Sequence, residues 1–147
     1  MKITLCGSIA FHDEMALTKK ELEKLGHQVK LPPFEVKDEK GNMIPVKKYY
    51  TLRKETTTDT GWIWDRKEEA MRWHLDKITW SDAILVLNYE KNNIPGYIGA
   101  NTLLEMGVAF YLNKKIFLWD KIPEIAYKEE LLGMKPIAIK KNLKIIN

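Results

Sequence analysis

One uninterrupted apolar run, Ala-Ile-Leu-Val-Leu at residues 83–87, most constrains how this chain can fold. A strand that is apolar at every position is buried on both faces, as the central strands of parallel sheets are. Four other segments predict strands of the same sheet, at residues 2–6, 27–31, 115–119 and 136–139. We therefore expect a parallel sheet of about five strands, with the apolar run among them.

Helical segments alternate with these strands along the sequence. We predict helices at about residues 10–25, at about 65–80, around Glu105 and near 127–132. In the first of them, apolar residues recur at helical spacing. Strands that alternate with helices through short connections form an α/β fold with helices on the faces of the sheet. The prediction is a single doubly wound three-layer sandwich, Rossmann-like or flavodoxin-like, over residues 1–147.

Residues 34–61 break this alternation. They are charged, rich in threonine and punctuated by glycine, and no clear period runs through them. A connection of this length in a compact domain is usually a lid, a binding loop or a disordered excursion. We therefore predict an irregular insertion at about residues 33–62. The next helix is predicted to start at Asp65, an N-cap residue with an acid, Glu68, three positions later.

The composition is that of a globular protein and excludes several functional classes. Of 147 residues, 45% are hydrophobic and 30% are charged, and the net charge is +4. The basic residues are scattered, so we expect no nucleic-acid partner, and a small anion such as phosphate is the simpler ligand. No apolar run reaches membrane-spanning length and no signal peptide precedes the first strand. We therefore expect no membrane partner and a cytoplasmic location.

Metal-binding and cofactor-binding motifs are absent from the sequence. Cys6 is the only cysteine, which rules out an internal disulfide, and we expect it to be an inert core residue. The three histidines, His12, His27 and His74, form no H-x-H or H-x-x-x-H pair. Neither the dinucleotide motif G-x-G-x-x-G nor the phosphate-loop motif occurs. We predict no metal site and no cofactor.

A single charge in an apolar segment is the first candidate for chemistry. Glu105 is the only Asp, Glu, Lys or Arg between Lys91 and Lys114. A carboxylate loses hydration in such surroundings and is seldom placed there for packing alone. The alternative is that Glu105 lies on the one exposed stripe of a mostly buried helix. The run by itself leaves both positions open.

The loop after the first predicted strand suits a polar ligand. In open parallel sheets, ligands lie beyond the carboxyl ends of the strands, where strand order reverses. Gly7 allows close approach of the backbone, Ser8 offers a hydroxyl, and the helix that follows presents free N–H groups to an anion. Ile9 and Phe11 belong to the same turn. We predict that these four residues contact the substrate, although a plain strand-to-helix turn is the alternative.

The loop that leads to Glu105 is richer in polar groups. Asn88, Tyr97, Gly99 and Asn101 supply hydrogen-bonding groups or backbone freedom on the way into its helix. Turn formation and N-capping are the alternative roles of the asparagines. Because Glu105 lies about one turn inside the helix, the polar loop and the carboxylate converge on one spot. We predict that these four residues bind substrate beside Glu105.

Three motifs occur at the strand ends in the order seen in a known family. They are Cys6-Gly-Ser-Ile9, Ser81-Asp-Ala-Ile-Leu-Val86, and Gly99 followed by Glu105-Met-Gly107. In these motifs the chain resembles the nucleoside 2-deoxyribosyltransferase superfamily, which includes 2′-deoxynucleoside 5′-monophosphate N-glycosidases. The resemblance covers residues 1 to about 120, without 33–62. It implies an enzyme that cleaves or transfers an N-glycosidic bond with Glu105 as the nucleophile.

The resemblance also implies a second acidic residue, and here the sequence departs from the family. The family has a helix aspartate eight residues before the aspartate that begins the central strand, where it helps to hold the sugar or the departing base. Counting back from Asp82 reaches His74, and Asp76 lies two positions further on. We take both as candidate catalytic residues. The family's polar residue six before the nucleophile is Gly99 here, so another group must hold a phosphate or protonate the base.

Two functions from different classes stay open on the sequence. The first is the enzyme, which implies a small nucleoside or nucleotide as substrate. It also implies a homo-oligomer, a dimer or larger, since members of the superfamily borrow pocket residues from a neighbouring subunit. The second is a non-catalytic nucleotide-binding or sensing module with the same fold, which the displaced aspartate favours. A partner-binding domain is a weaker third interpretation, based on the tryptophans at 62, 64, 73 and 80.

Overall fold

The computed structural model describes residues 1–147 as a sheet flanked by helices, which confirms the predicted α/β class. In chain order the elements are β1 (Lys2–Cys6), α1 (His12–Lys24), β2 (Gln28–Lys30), β3 (Glu35–Lys37), β4 (Met43–Pro45), α2 (Val46–Glu55), α3 (Trp62–Trp80), β5 (Ala83–Val86), α4 (Ala100–Tyr111), β6 (Lys115–Leu118), α5 (Lys128–Gly133) and β7 (Ile137–Ala138). Short 3-10 turns cover Ile9–Phe11 and Leu143–Ile145. None of the helices combines the length and the apolar character needed to cross a bilayer.

Five strands form one parallel sheet in the order β2-β1-β5-β6-β7. The chain moves outward from β1 to β2 and then crosses to the other side of β1 with β5, so strand order reverses between β1 and β5. These two strands are in register from Ile3 opposite Ala83 to Cys6 opposite Val86. The residues that follow Cys6 and Val86 therefore lie side by side, at the edge where open α/β sheets bind ligands.

Strand β5 is buried at every position, as its apolar sequence predicts. On one face of the sheet, Leu5 and Leu85 pack in a cluster with Met15 of α1. On the other face, Cys6 packs in a cluster with Met106 of α4 and with residues of α3. Because side chains alternate along a strand, the neighbours Leu5 and Cys6 enter opposite layers. Cys6 is therefore directed toward α3 and α4.

The insertion forms regular elements, so the prediction of an irregular segment is wrong. Strands β3 and β4 pair as an antiparallel hairpin with Val36 opposite Ile44, and α2 follows at once. These two residues, together with Val46 and Tyr49 of α2, bury a small cluster of their own. The Tyr49 hydroxyl also donates to the carbonyl oxygen of Ile63 in α3, 2.6 Å away. The insertion is thus attached to the helix that lines the site.

Helix α3 begins earlier than predicted, at Trp62. Its N-cap is Gly61, whose φ of 101° lies in the region that favours glycine. Asp65 lies in the first turn instead of capping the helix, and its carboxylate interacts favourably with the positive end of the helix dipole. The indole N–H of Trp64 donates to the carbonyl oxygen of Thr58, 2.7 Å away. This bond holds the turn that starts the helix.

Candidate active site

Helix α4 carries Glu105 to the carboxyl edge of the sheet. The helix starts at Ala100, so Glu105 lies in its second turn, among the residues that α4 buries, such as Met106 and Ala109. Glu105 is only 7% exposed. The structure therefore excludes the alternative that this glutamate occupies an exposed stripe of the helix.

The two carboxylate oxygens of Glu105 have different surroundings. Oε1 accepts a hydrogen bond from Nδ2 of Asn101, one helical turn earlier, at 2.9 Å. Oε2 is buried and has no hydrogen-bond partner. Buried carboxylate oxygens are normally satisfied, so an orphan oxygen needs an explanation. One oxygen is held in place, and the other is buried beside Cys6 and His74 without a hydrogen bond.

Burial raises the pKa of Glu105 from 4.5 to about 7, because the apolar surroundings disfavour the charged form. The Cys6 thiol, the Lys67 ammonium and the Asn101 amide all favour the ionised form and offset part of this effect. The carboxyl group of Glu105 is therefore partly ionised near pH 7. A pKa in this range suits a group that acts in its ionised form.

His74 faces Glu105 from α3. Its Nε2 lies 3.8 Å from Oε2 of Glu105, and the residue is 4% exposed. Burial, with a smaller effect of the Lys77 charge, lowers the pKa of His74 to about 4. The ring is therefore neutral near pH 7, and the contact with Glu105 is not an ion pair. His74 offers the cleft polar atoms rather than a charge.

Cys6 completes a buried group of three. Its Sγ lies 3.6 Å from Nε2 of His74, and the ligating atoms of Cys6, His74 and Glu105 all lie within 4.8 Å of one another. A thiolate, an imidazole and a carboxylate are ligands that Zn²⁺ accepts, so these residues could hold a metal ion. The sequence predicted an inert cysteine and no metal site. Spacing could not reveal this group, because its members come from β1, α3 and α4.

Burial also acts on the cysteine of this group. It raises the pKa of the Cys6 thiol well above the ordinary value of 9.0, and the charge of Glu105 acts in the same direction. A neutral thiol is a weak nucleophile. Cys6 therefore serves the site as a polar neighbour of His74 and Glu105 and not as a thiolate nucleophile.

Glu105 and His74 line the inner end of a cleft, where the cavity is about 80 Å³. We call this part the inner cleft. It continues outward into a wider cavity of about 490 Å³, which we call the mouth. The residues that line both parts are Gly7, Ile9, Arg53, Lys67, Met71 and Asn101. Because they share these walls, the inner cleft and the mouth form one continuous site.

Most of the residues predicted for the site lie in this cleft. The structure places Gly7, Ile9, His74, Asn101 and Glu105 along the inner cleft. It places Ser8, Tyr97 and Gly99 in the mouth.

Gly7 makes the turn after β1 possible. Its φ is +148°, and a Cβ at this position would lie 3.1 Å from the carbonyl oxygen of Leu87 and 3.1 Å from Cε of Met15. A side chain at this position would press against the backbone of Leu87, directly after β5. The next residue, Ser8, accepts a hydrogen bond from the N–H of Ala10 at 3.2 Å and so caps the short turn that follows.

Two predicted binding residues are buried away from the cleft. Asn88 is fully buried, and its Nδ2 donates to the carbonyl oxygens of Gly96 and Lys121 at 3.3 and 2.9 Å. Its Oδ1 accepts from the N–H of Asp120 at 2.9 Å. Asn88 therefore ties two loops together. Phe11 is also buried, with its ring against that of Tyr89 at 5.1 Å between centroids.

The structure does not bring Asp76 to Glu105. Asp76 is exposed and lines a separate surface groove with Trp73 and Lys77. Residues two apart on a helix point to nearly opposite sides. Since His74 faces the inner cleft, Asp76 faces away from it. Helix α3 cannot direct both side chains into the cleft.

Several residues of the cleft were missed in the sequence. Lys67 and Met71 lie seven and three positions before His74, so they share one face of α3. This helical spacing was a usable signal. Arg53 and Tyr49 come from α2. The sequence allowed Arg53 to reach a phosphate but favoured a solvated charge run, and Tyr49 was missed because the insertion was predicted to be irregular.

Comparisons with known proteins identify the fold. No protein-family model and no curated protein sequence matches this chain. It is similar to the solved 2-deoxyribosyltransferase from Bacillus psychrosaccharolyticus, with 17% identity, a TM-score of 0.50, and coverage of 80% of this chain and 71% of that one. It is also similar to a CMP N-glycosidase from Clostridium botulinum, with 16% identity, a TM-score of 0.49, and coverage of 94% and 85%. The resemblance predicted from the motifs is confirmed at the level of the fold.

The buried carboxylate makes the stability of the fold depend on pH. The pKa of Glu105 is higher in the folded protein, about 7, than its ordinary value of 4.5. The folded state therefore binds more protons than the unfolded state between these values, and the free energy of unfolding falls as the pH rises through this window. We expect Glu105→Gln to raise the free energy of unfolding by about 3 kcal/mol at pH 8.

Urea unfolding at two pH values tests this effect. The advantage of Glu105→Gln should largely disappear near pH 4, where the carboxyl group is neutral in both states. The matched control is Glu129→Gln, because Glu129 is exposed on α5. An equal gain at both pH values would show that the amide stabilises the fold by packing and not by removing a buried charge.

Proposed function

We propose that this chain cleaves or transfers the N-glycosidic bond of a nucleoside or nucleotide, with Glu105 as the nucleophile. The orphan oxygen Oε2 of Glu105 carries the proposal, because it is buried at the closed end of a cleft at the switch point of the sheet. The fold that the chain shares with a 2-deoxyribosyltransferase supports the same reaction class. The motif resemblance, which places Glu105 at the nucleophile position, supports it independently of the structural comparison.

In the proposed first step, Oε2 of ionised Glu105 attacks the anomeric carbon. The bond from this carbon to the base nitrogen breaks, and its electron pair leaves with the base, which takes up a proton from solvent. A glycosyl ester of Glu105 results. In the second step, water or a second nucleobase attacks the anomeric carbon from the opposite side and gives up a proton to solvent, and the bond to Glu105 breaks to release the carboxylate. Two inversions give net retention of configuration.

The surroundings of Glu105 suit this role. Asn101 holds Oε1, so rotation of the carboxylate is restricted and Oε2 keeps its direction. The positive charge of Lys67 favours the ionised form, which is the nucleophilic one. His74 is neutral and lies beside Oε2, so we assign it to positioning the sugar or the nucleophile and not to acid catalysis. Asp76 has no part in the proposed mechanism.

The second candidate is a nucleotide-binding or sensing module without turnover. The position of His74 favours it, since a neutral imidazole stands where the family has a carboxylate. The same cleft would then hold an intact nucleotide. Binding without release of free base would identify this function.

We expect Glu105→Ala to reduce release of free base by more than about a hundredfold, as loss of a nucleophile does. The measurement is chromatographic detection of free base from a panel of nucleosides and 5′-monophosphates. Glu129→Ala, which removes an exposed glutamate of α5, is the matched control and should retain activity. Base release that survives Glu105→Ala would refute the nucleophile assignment, and calorimetric binding without any base release would support the sensing module.

The pKa of Glu105 predicts the pH dependence of this reaction. The nucleophile must be ionised, and its pKa is about 7. We therefore expect kcat/KM to rise with pH and to level off above 7, with a value at pH 5 that is roughly a hundredfold below the plateau. Asn101→Ala should move the midpoint to higher pH, since the Asn101 hydrogen bond lowers the pKa of Glu105. A flat profile between pH 5 and 8 would contradict this assignment.

We also propose that the chain forms a homo-oligomer through α4. Leu104, Phe110 and Tyr111 are 57%, 53% and 83% exposed, and Leu104 lies at the mouth. Large apolar side chains exposed together on one helix are typical of an interface.

Light scattering of the wild-type protein should give a mass of at least twice the 17.2 kDa of one chain. Phe110→Lys with Tyr111→Lys should lower the mass, whereas Leu17→Lys on exposed α1 should not, and a monomeric wild type would refute the proposal.

A further inference from the structure

The mouth of the cleft is lined by four cationic side chains and by no carboxylate. Arg53 and Lys54 come from α2, Lys67 comes from α3, and Lys91 comes from the loop after β5. Three separate segments therefore direct positive charge into one cavity. The concentration of charge is local, because the basic residues of the sequence as a whole are scattered.

None of these four cations has a carboxylate partner within 4.0 Å. Other cations of α3 do have one: Arg66 pairs with Glu69, and Arg72 pairs with Glu68. Acidic partners are thus present along α3, but they lie on its outer side and not in the mouth. The cations of the mouth therefore form no ion pair, and the carboxylate of Glu105 in the inner cleft acts on Lys67 only from beyond 4.0 Å.

Neutral groups hold these cations in place instead. Nζ of Lys91 donates to Oγ of Ser8 at 2.9 Å, and Nζ of Lys67 donates to Oδ1 of Asn101 at 3.4 Å. Arg53 and Lys54 both lie over the ring of Tyr50, 4.9 and 5.2 Å from its centroid.

The cations of the mouth repel one another at Lys67. Its pKa is lowered to about 8, mainly by burial and also by the charges of Arg53 and Lys54, while the charge of Glu105 raises it. Cations that repel one another in a partly buried cavity favour the binding of an anion, because the anion relieves their repulsion. Phosphate is an anion that arginine and lysine side chains commonly bind.

The mouth is within reach of the 5′ end of a nucleotide whose anomeric carbon lies at Glu105. The inner cleft, which holds Glu105, and the mouth share the walls formed by Gly7, Lys67 and Asn101. A sugar with its anomeric carbon at Glu105 would extend along these walls. The 5′ carbon is attached to the ring of that sugar, so a phosphate on it would be within reach of the mouth.

We propose that the mouth binds the 5′-phosphate of the substrate, so that this chain acts on nucleotides in preference to free nucleosides. Arg53 and Lys54 bring the phosphate-binding charge from the insertion, which lies outside the segment that resembles the 2-deoxyribosyltransferase superfamily. Lys67 and Lys91 complete the site. This inference rests on the proposed function for the identity of the sugar-bearing ligand.

The first test compares a deoxynucleoside with its own 5′-monophosphate. We expect kcat/KM to be at least about a hundredfold higher for the monophosphate, from charge-assisted contacts to the phosphate. Arg53→Ala with Lys54→Ala should reduce the value for the monophosphate by at least about tenfold more than the value for the nucleoside, mainly through KM. Lys47→Ala with Lys48→Ala is the matched control, since it removes two exposed cations from the same helix outside the mouth.

The second test measures binding without turnover and separates the two proposals. Calorimetry on Glu105→Gln should give tighter binding of the 5′-monophosphate than of the nucleoside, and Arg53→Ala with Lys54→Ala in that background should remove the difference. Inorganic phosphate should compete with the monophosphate, less so as salt rises. If no substrate releases base but these results hold, the proposed reaction fails and the phosphate site stands.

Either of two results would overturn the phosphate site. One is equal affinity, or equal kcat/KM, for the nucleoside and its monophosphate. The other is a loss of monophosphate binding in Lys47→Ala with Lys48→Ala as large as in Arg53→Ala with Lys54→Ala, which would show that only the overall charge of the protein matters.

Discussion

The site depends on a difference in hydrogen bonding between the two carboxylate oxygens of Glu105. A buried carboxylate is costly unless both oxygens are satisfied. Asn101 satisfies one of them from the preceding turn of α4, and nothing in the protein satisfies the other. The fold therefore maintains a destabilising feature at the closed end of its cleft. Such features persist where a ligand or a reaction uses them.

The topology of the sheet explains how the neighbours of Glu105 come together. Parallel pairing of β1 with β5 sets the turn at Gly7 beside the end of β5. Helices α3 and α4 cover the same face of the sheet, so His74 and Glu105 approach each other above Cys6. Residues that are about 30 and 70 positions apart in the sequence thus form one polar group. No pairwise motif connects them, and only the arrangement of layers does.

Patterns within one element were readable from the sequence, and contacts between elements were not. The apolar run of β5 predicted its burial on both faces, and the charge of Glu105 in an apolar helix marked a candidate residue whose burial only the structure could decide. The choice between His74 and Asp76 required the rotation of α3, which the sequence left open. Helix α2 was missed, because its apolar positions are few and lie between charges. Asn88 looked like a ligand residue, yet its amide satisfies backbone groups of two loops.

Lys67 connects the mouth to Glu105 electrostatically. Its pKa of about 8 leaves part of the population uncharged at neutral pH, and its positive charge favours ionised Glu105. An anion in the mouth keeps Lys67 protonated, but a lysine with a pKa of about 8 is already mostly protonated at pH 7, so little positive charge is gained. The negative charge of the anion disfavours the ionisation of Glu105, and the positive charge of Lys67, which lines both the mouth and the inner cleft, offsets part of that effect. Lys67 therefore allows an anionic group and an ionised Glu105 to occupy the two parts of one cleft.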